Sequence, residues 1–211
     1  MNIFYLILAI VLGYLIGSIP NGYLIARLKG VDVTRVESGR TGGTNVARAL
    51  GWRYGVLVGA LDILKGTVAV ALVRAIAGAQ PDIYAALAGG FAVIGHNWSA
   101  FLGFRGGAGG ATAAGALLGL NPPAGGIMVP LFILILILSR YASVATMSIG
   151  LGGLLILAIF YFLNIGDTPP EQMVFGLIAS AAILWALRPN IRRLRQGNER
   201  RITFRKKTPP S

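Results

Sequence analysis

The chain has 211 residues, of which 55% are hydrophobic and only 12% are charged. Because an ordinary soluble domain carries roughly 25% charged residues, this composition excludes a typical soluble protein and predicts several membrane spans of roughly 20 apolar residues each. The absence of cysteine excludes disulfides, thiolate metal sites and thioester chemistry. The single histidine, His96, cannot form a histidine metal cluster, so we predict no metal site and no cofactor. The net charge of +12 favours anionic lipid over nucleic acid as a partner.

The hydropathy pattern predicts an all-α, polytopic membrane helix bundle of about seven spans. In chain order the predicted spans cover about residues 3–27, 54–76, 82–101, a short segment ending at Leu120, 124–138, 142–164 and 171–187. The first has no basic n-region and no convincing cleavage site, which favours a true span over a signal peptide, and Gly17, Pro20 and Gly22 predict a kink in it. The fourth is either a half-helix inside the bundle or a short span with close neighbours. We predict a membrane domain over residues 1–190 and a basic tail over residues 191–211.

The distribution of charge predicts the orientation. Seven crossings place the two termini on opposite sides of the membrane. With the N-terminus outside, 17 of the 19 basic residues lie on the inner side, and the exceptions are Arg74 and the buried Lys65. This asymmetry agrees with the positive-inside rule and predicts an outer N-terminus, a cytoplasmic C-terminus and a cytoplasmic location for two glycine-rich stretches.

The first of these stretches runs from Ser38 to Arg48 and reads SGRTGGTNVAR. It combines three glycines, two arginines and four hydroxyl or amide side chains, namely Gly39, Gly42 and Gly43, Arg40 and Arg48, and Ser38, Thr41, Thr44 and Asn45. Glycine lets backbone N–H groups turn toward a ligand, and arginine offers a forked cationic donor. The mixture therefore suits an anion, most plausibly a phosphate. The alternative is a solvated basic loop beside the membrane.

The second stretch, Arg105 to Gly110, reads RGGAGG and opens directly into the fourth apolar segment. A glycine-rich loop that leads into a helix N-terminus offers free N–H donors at the positive end of the helix dipole, which favours anion binding. The alternative is that these glycines let membrane helices approach closely. Two such stretches on one face suggest two phosphate groups or one extended anionic ligand.

Three ionisable residues lie away from the ends of the predicted spans, namely Asp62, Lys65 and His96. Asp62 and Lys65 are three positions apart and share one helical face, where they form either a structural ion pair or part of the polar site. His96 is either a packed, hydrogen-bonded histidine or a ligand contact. No pattern identifies a nucleophile or base, and Phe101 stands where a His-x4-Asp acyltransferase motif needs aspartate. Any chemistry here therefore relies on positioning and electrostatics.

Short motifs are distributed over nearly the whole chain. They are Gly17-Ser18-Ile19-Pro20 with Gly22, Gly30-Val31-Asp32, Ser38-Gly39 with Gly42, Thr44-Asn45-Val46 and Arg48, Asp62 with Lys65-Gly66, Gly95-His96, Phe101 with Arg105-Gly106-Gly107, Gly109, Ala111 and Thr112, Arg140-Tyr141 with Ser143, Asn190-Ile191, Arg193-Leu194, and Gly197 with Glu199. In order and spacing this set resembles the bacterial acyl-phosphate glycerol-3-phosphate acyltransferases.

The resemblance implies a seven-span enzyme of the bacterial inner membrane with its active site on the cytoplasmic side. Such an enzyme moves a fatty acyl group from acyl phosphate to the 1-hydroxyl of glycerol 3-phosphate, giving lysophosphatidic acid and phosphate for phospholipid biosynthesis. The implied partners are acyl phosphate, glycerol 3-phosphate and membrane lipid, with no nucleic acid, and the implied state is a monomer. Because acyl phosphate carries a good leaving group, positioned cations would replace a protein nucleophile, and the leaving phosphate would help take the hydroxyl proton.

The polar stretches and the resemblance together give the candidate site residues. We predict Ser38, Arg48 and His96 as catalytic residues. We predict substrate or phosphate binding for the remaining set, namely Gly39, Arg40, Gly42, Gly43, Thr44, Asn45, Arg105, Gly106, Gly107, Gly109 and Asn190.

The chain departs from the family pattern at five positions. Arg40 replaces an asparagine, Gly43 an alanine, Arg105 and Ala108 the two lysines of the second motif, and Leu187 a histidine. The lysine usual at position 108 is expected to bind substrate phosphate, and we hypothesise that Arg40 supplies the missing charge. Two alternatives remain open, a non-catalytic paralogue that binds or moves phosphorylated lipid or an organophosphate, and a small transporter with a broken fourth span.

Overall fold

The structure, a computed structural model, describes residues 2–78 and 81–203. Within these ranges the chain forms ten α-helices and two short 3₁₀ turns at Val33–Arg35 and Ala100–Leu102. The helices are α1 Ile3–Ser18, α2 Asn21–Leu28, α3 Gly43–Leu50, α4 Trp52–Ile76, α5 Pro81–Asn97, α6 Gly110–Leu120, α7 Pro122–Ser139, α8 Ala142–Phe162, α9 Gln172–Ala186 and α10 Arg188–Arg195. The prediction of an all-helical protein is confirmed.

Several of these helices have the length and apolar composition that a membrane crossing requires. Four segments meet both criteria, namely Ile3–Leu28, Trp52–Ile76, Pro122–Ser139 and Ala142–Phe162, and the bent pair of α9 and α10 gives a fifth. By contrast α5 has 17 residues and α6 has 11, which is short against the roughly 20 residues of a full span. The prediction of seven crossings, with its orientation, therefore stays a prediction.

The first apolar segment is broken, as its glycines and proline predict. α1 ends at Ser18 and α2 begins at Asn21, because Pro20 has no N–H to donate within a continuous helix. The break leaves backbone groups without helical partners, and Lys65 on α4 donates from Nζ to the Ile19 carbonyl at 2.8 Å. A buried cation thus stabilises the kink.

Residues 28–53 separate the first two predicted spans and would be a polar loop on the sequence alone, but this expectation is wrong for their second half. Residues Gly43–Leu50 form the eight-residue helix α3. Its buried side packs on α4 so closely that a Cβ at Gly55 would lie 2.5 Å from the Cβ of Ala47. The following Gly51 has φ 94°, a value that favours glycine, and it turns the chain into α4. Tertiary packing, which local sequence does not show, stabilises this short helix.

The short helix α6 lies at the centre of the bundle. Most of its side chains are fully buried, and the largest hydrophobic core cluster includes Ala113, Ala114, Ala116 and Leu117. A rise of 1.5 Å per residue makes this helix about 16 Å long, roughly half the hydrocarbon core of a bilayer. Its first residue, Gly110, therefore lies well inside the bundle.

A polar network closes the bundle at the other end of α6. Arg74 donates to the carbonyls of Gly119 and Leu120, both at 3.0 Å, and pairs with Asp82 at 2.7 Å. Asn121 donates to Gln172 at 3.0 Å. These groups satisfy the last carbonyls of α6, which have no partners within the helix.

The chain after α10 folds back onto the helices. α10 turns by 62° from α9, and Ile202 becomes 1% exposed. Ile202 donates its N–H to the Arg140 carbonyl at 2.7 Å, and Arg140 Nε donates to the Ile202 carbonyl at 3.1 Å. The described part of the predicted tail, residues 191–203, thus contacts the bundle, while its residues 204–211 lie outside the described ranges.

Candidate active site

A cavity of about 510 Å³ extends from the loop before α3 to the first turn of α6. Its walls come from α3, α4, the end of α5, α6, α7, α8 and the region of the α9–α10 bend. This volume lies within the 300–1,000 Å³ that is roughly usual for small-molecule sites. We call this space the reaction cavity.

Most of the predicted site residues lie in the wall of the reaction cavity. The wall contains Ser38, Arg40, Gly42, Gly43, Thr44, Asn45, Arg48, His96, Gly109 and Asn190. It does not contain Gly39, Arg105, Gly106 or Gly107. The fold thus joins the first glycine-rich stretch to α10, about 140 residues further along the chain, but includes only the end of the second stretch.

The second glycine-rich stretch packs against α5 along most of its length. Gly107 donates its N–H to the His96 carbonyl at 2.9 Å, and the Gly106 carbonyl accepts from Thr41 N–H at 3.3 Å. A Cβ at Gly107 would clash with the His96 ring, and Arg105 is exposed. The expectation that the Gly107 N–H is free for an anion is therefore wrong, and close packing is the reason for the glycine there.

Asn45 organises the loop that precedes α3. Its Nδ2 group donates to the carbonyls of Val33, Val36 and Arg40 at 3.1, 3.0 and 2.8 Å, and its Oδ1 accepts from the Ser38 N–H at 3.2 Å. The side chain is 3% exposed. These contacts occupy the amide, which favours a positioning role for Asn45 over direct contact with a ligand.

Arg40 reaches from the same loop to the end of α9. One NH2 group donates to the Ala186 carbonyl at 2.7 Å. Burial lowers the pKa of Arg40 because the charged form loses hydration, and the nearby Arg193 lowers it further while Glu199 raises it. The guanidinium is thus fixed in the cavity wall with an excess of positive charge around it.

Arg48, on α3, is the cation with the fewest partners in the wall. Its guanidinium makes no hydrogen bond or ion pair to residues 2–78 and 81–203. Burial is also the main cause that lowers the pKa of Arg48. A half-buried, unpaired guanidinium is a strong candidate for binding an anion, since forked donors match phosphate and carboxylate oxygens.

Glu199 is a site residue for which the sequence gives only a weak signal. Its carboxylate accepts from Asn190 Nδ2 at 2.6 Å, Arg193 Nε at 2.8 Å and Ser143 Oγ at 3.3 Å. These contacts connect α8, α10 and the chain after α10. Asn190 keeps a buried Oδ1 without a hydrogen-bond partner in the described structure. No local pattern pairs residues this far apart, although Arg193 and Glu199 do belong to the motifs above.

The predicted ion pair of α4 forms at the deep side of the cavity. Asp62 Oδ1 lies 3.0 Å from Lys65 Nζ and 3.7 Å from His96 Nδ1, and it accepts from Asn21 Nδ2 at 3.1 Å. Asp62 and His96 line the cavity, whereas Lys65 does not. The ion pair holds the kink of the first segment and lies beside His96. Among the described residues, no three His, Asp or Glu side chains are grouped so that they could hold a metal ion.

One side of the reaction cavity is apolar. It consists of residues of α4 and α7, namely Val56, Ala60, Ile63, Phe132, Ile133, Leu136 and Ile137. Several of these side chains are also exposed on the outside of the bundle, with Val56 at 65% and Ile137 at 51%. α6 packs between α4 and α7 and forms the back of this side. We call it the apolar slot.

Comparison with known proteins identifies the family. The sequence model described as "Glycerol-3-phosphate acyltransferase" matches residues 7–197. The chain belongs to the glycerol-3-phosphate acyltransferase family. A relative of that name from Chlorobium phaeobacteroides (strain DSM 266) is 41% identical over 94% of this chain and 97% of its own length. One from Rubrobacter xylanophilus is 42% identical over 93% and 94%.

Solved structures give the same result for the fold. The crystal structure of PlsY (YgiH), an integral membrane glycerol 3-phosphate acyltransferase, in its glycerol 3-phosphate form is similar with a TM-score of 0.81. Its sequence is 34% identical, and the match covers 93% of this chain and 95% of that one. The lysophosphatidic acid form has a TM-score of 0.79. The chain is thus an integral membrane acyltransferase by family.

Four of the five departures from the glycerol-3-phosphate acyltransferase pattern lie in the wall of the reaction cavity, namely Arg40, Gly43, Ala108 and Leu187. Ala108 and Leu187 present apolar side chains there, and Arg40 presents a cation. Leu187 directly follows Ala186, whose carbonyl accepts from Arg40. The positive charge gained at Arg40 and the polar groups lost at Ala108 and Leu187 therefore belong to one cavity.

Proposed function

We propose that this glycerol-3-phosphate acyltransferase transfers a fatty acyl group from acyl phosphate to the 1-hydroxyl of glycerol 3-phosphate in the reaction cavity. The products are lysophosphatidic acid, a precursor of phospholipids, and inorganic phosphate. The proposal is carried by one observation. A mouth rich in cations and hydrogen-bond donors continues into the apolar slot within a single cavity. This combination suits two phosphorylated substrates of which one has a long hydrocarbon chain.

The polar mouth would hold the phosphate groups. Arg48 has no ionic partner in the described structure, and Ser38 and Thr44 place hydroxyl groups in the same wall. The unpaired Oδ1 of Asn190 would accept from a hydroxyl group of the glycerol. Arg40 adds a second cation that is held in place by the α9 carbonyl.

The apolar slot would hold the acyl chain. Its residues come from two helices that face lipid, so a substrate can enter sideways from the bilayer without leaving an apolar environment. Because lipid tails are as apolar as the side chains of the slot, the slot would position the acyl chain with little change in hydrophobic free energy, and the phosphate contacts would supply the specificity. The floor at Gly110 and Ala111 would limit how far the chain extends.

The reaction itself needs no protein nucleophile. The glycerol hydroxyl oxygen attacks the carbonyl carbon of the acyl phosphate, the new ester C–O bond forms, and the C–O bond to phosphate breaks with its electron pair going to phosphate. The hydroxyl proton passes to an oxygen of that phosphate. Arg48 and Arg40 would stabilise the charge that develops on the leaving group, and Ser38 would orient the hydroxyl, while His96, held near Asp62, would line the deep side.

We also propose the finer topology. If α5 and α6 also cross the membrane, they bring the five candidate spans to seven crossings. The N-terminus would then lie outside, and the mouth of the reaction cavity would lie on the cytoplasmic side of a bacterial inner membrane. The concentration of basic residues on the side of the mouth supports this orientation. We further propose a monomer, whose residues 1–190 form the membrane domain, since one chain supplies every wall of the cavity described here.

Purified protein with acyl phosphate and glycerol 3-phosphate tests the function. We expect lysophosphatidic acid and phosphate in equal amounts, and we expect Arg48→Ala to lower kcat/KM by about 100-fold or more while the protein remains folded. Arg53→Ala is the matched control, because Arg53 is exposed and lies outside the cavity wall, and it should leave kcat/KM within about twofold.

Near-normal turnover of Arg48→Ala would contradict the site assignment.

A second candidate function, a binding protein for phosphorylated lipid or an organophosphate, is favoured by the apolar Ala108 and Leu187 in the cavity wall. Binding of glycerol 3-phosphate or lysophosphatidic acid without product formation would support that function and overturn the first.

A further inference from the structure

A second cavity, of about 630 Å³, lies beside the bend between α9 and α10. Two tryptophans, three arginines and the backbone of the bend form its wall, namely Trp98, Trp185, Ala186, Arg188, Pro189, Arg192 and Arg193. We call it the Trp-Arg groove. No carboxylate belongs to this wall among the described residues, so its net charge is strongly positive.

The arginines of the Trp-Arg groove keep guanidinium N–H donors that have no hydrogen-bond partner in the described structure. The Arg188 guanidinium lies 3.3 Å from the centre of the Trp185 ring and its Nε donates to the Trp185 carbonyl at 3.3 Å. This stacking fixes the guanidinium while its NH1 and NH2 groups stay open. The Arg192 guanidinium makes no hydrogen bond or ion pair within residues 2–78 and 81–203. Arg193 donates its Nε–H to the Glu199 carboxylate at 2.8 Å.

The groove lies where apolar helices end. Trp98 directly follows the last residue of α5, and Trp185 is in the last turn of α9 with 58% of its surface exposed. Tryptophan at the ends of spans marks the level of the lipid head groups. At this level the chain bends, and the basic helix α10 turns by 62° away from the direction of α9.

We propose that the Trp-Arg groove binds the phosphate group of an anionic phospholipid, with Arg188 and Arg192 as its ligands and Trp185 at the level of the glycerol backbone. Arginine clusters and aromatic rings at the ends of spans provide the charge and the amphipathic surface that such a head group requires. The proposed ligands Arg188 and Arg192 lie outside the wall of the reaction cavity, and the proposal does not depend on the proposed acyl transfer.

The groove and the reaction cavity share part of a wall. Arg193 lines both, and the Ala186 carbonyl at the edge of the groove accepts from Arg40 of the reaction cavity. A lipid held in the groove thus contacts the segment that positions Asn190 and Arg193.

Native mass spectrometry of the purified full chain in detergent tests the site. The protein is titrated with phosphatidylglycerol and, in parallel, with phosphatidylcholine of the same acyl chains. We expect phosphatidylglycerol to bind about tenfold or more tightly. The double variant Arg188→Gln with Arg192→Gln should lose roughly 30-fold in affinity for phosphatidylglycerol, since each surface arginine near an anionic head group contributes about a fivefold factor.

Two further variants show whether a loss of affinity for phosphatidylglycerol is specific to the groove. The double variant Arg53→Gln with Arg195→Gln removes the same charge from exposed positions outside the groove and should bind phosphatidylglycerol like the parent. The single variant Arg192→Gln alters a side chain without described partners, so its fold is not at risk, and it should weaken binding about fivefold.

Three outcomes would overturn the proposal. They are equal binding of the two lipids by the parent protein, an equal loss in the two double variants, and unchanged affinity in Arg192→Gln. A further arm adds an excess of inorganic phosphate to the lipid complex. We expect the lipid to stay bound, whereas its full displacement would identify free phosphate as the ligand and would also overturn the proposal.

Discussion

The side chain of Asn45 holds the loop of the candidate site together, and we expect it to act by positioning that loop and not by binding a ligand. Its amide satisfies three carbonyls and one N–H of the loop that carries Ser38 and Arg40. Buried backbone groups that lose such partners cost about 1–3 kcal/mol each. The chemistry of the loop thus depends on a group that the sequence pattern suggests as a direct ligand.

The variant Asn45→Asp tests this positioning role. The carboxylate has the same shape but only accepts hydrogen bonds, so it would face three carbonyl oxygens without a donor. We expect the melting temperature in detergent to fall by several degrees, corresponding to about 2–4 kcal/mol, together with a loss of activity. Asn198→Asp, at an exposed position, is the control and should melt like the parent. A stable Asn45→Asp protein with reduced affinity for glycerol 3-phosphate alone would instead indicate direct binding.

Arg40 is the residue on which the compensation hypothesis depends. If it supplies the charge that the family usually has at position 108, Arg40→Asn should lower kcat/KM by about tenfold or more, since a charged hydrogen bond contributes about 1.5–3 kcal/mol. Adding Ala108→Lys to that variant should restore much of the loss. Unchanged kinetics in Arg40→Asn would contradict the hypothesis, and the melting temperature, measured in parallel, separates catalysis from the contact with Ala186.

At the scale of helices, the contact between α4 and α6 positions the floor of the reaction cavity. A Cβ at Gly115 would clash with the Ile63 carbonyl, and one at Gly66 would clash with the Thr112 carbonyl. Both glycines have ordinary helical backbone, so the reason for glycine is space and not conformation. This is the close approach of small residues that is typical of membrane helices.

Gly115→Ala should therefore separate the two helices. We expect a loss of stability of about 1–3 kcal/mol from overpacking, seen as a lower melting temperature in detergent. Gly126→Ala on α7 is the control, because nothing lies within 4 Å of a Cβ at that position, and alanine there should be neutral or slightly stabilising. Equal melting temperatures for the two variants would show that α4 and α6 can move apart without cost.

For the whole molecule, the absence of cysteine allows a direct test of orientation. Single variants Arg53→Cys and Asp167→Cys place a thiol at each end of the bundle, next to α4 and after α8. In intact cells we expect a membrane-impermeant maleimide to label position 167 but not position 53, with both labelled after the membrane is opened. The reverse labelling would invert the orientation proposed above, and labelling of both in intact cells would rule it out.

The sequence predicts the helical membrane fold well because long apolar segments and their breaks are local signals. The kink at Pro20, the helix from residue 52 to 76 and the Asp62–Lys65 pair all follow from such patterns. Helix α3 and the position of Gly107 against His96 do not, because they depend on contacts between segments that are distant in the chain. For the same reason the motifs identify Glu199 as part of the family pattern without showing that it holds Asn190 and Arg193.

The small length of α6 has an electrical consequence. In the proposed topology we expect water to fill the polar mouth of the reaction cavity, so that the low-dielectric barrier at this point would be only the part of the bundle between the mouth and the network around Arg74. The transmembrane voltage would then drop across that part, and the mouth would stay close to the potential of the side on which it opens. A ligand with several negative charges would therefore reach Arg40 and Arg48 without electrical work against the membrane field.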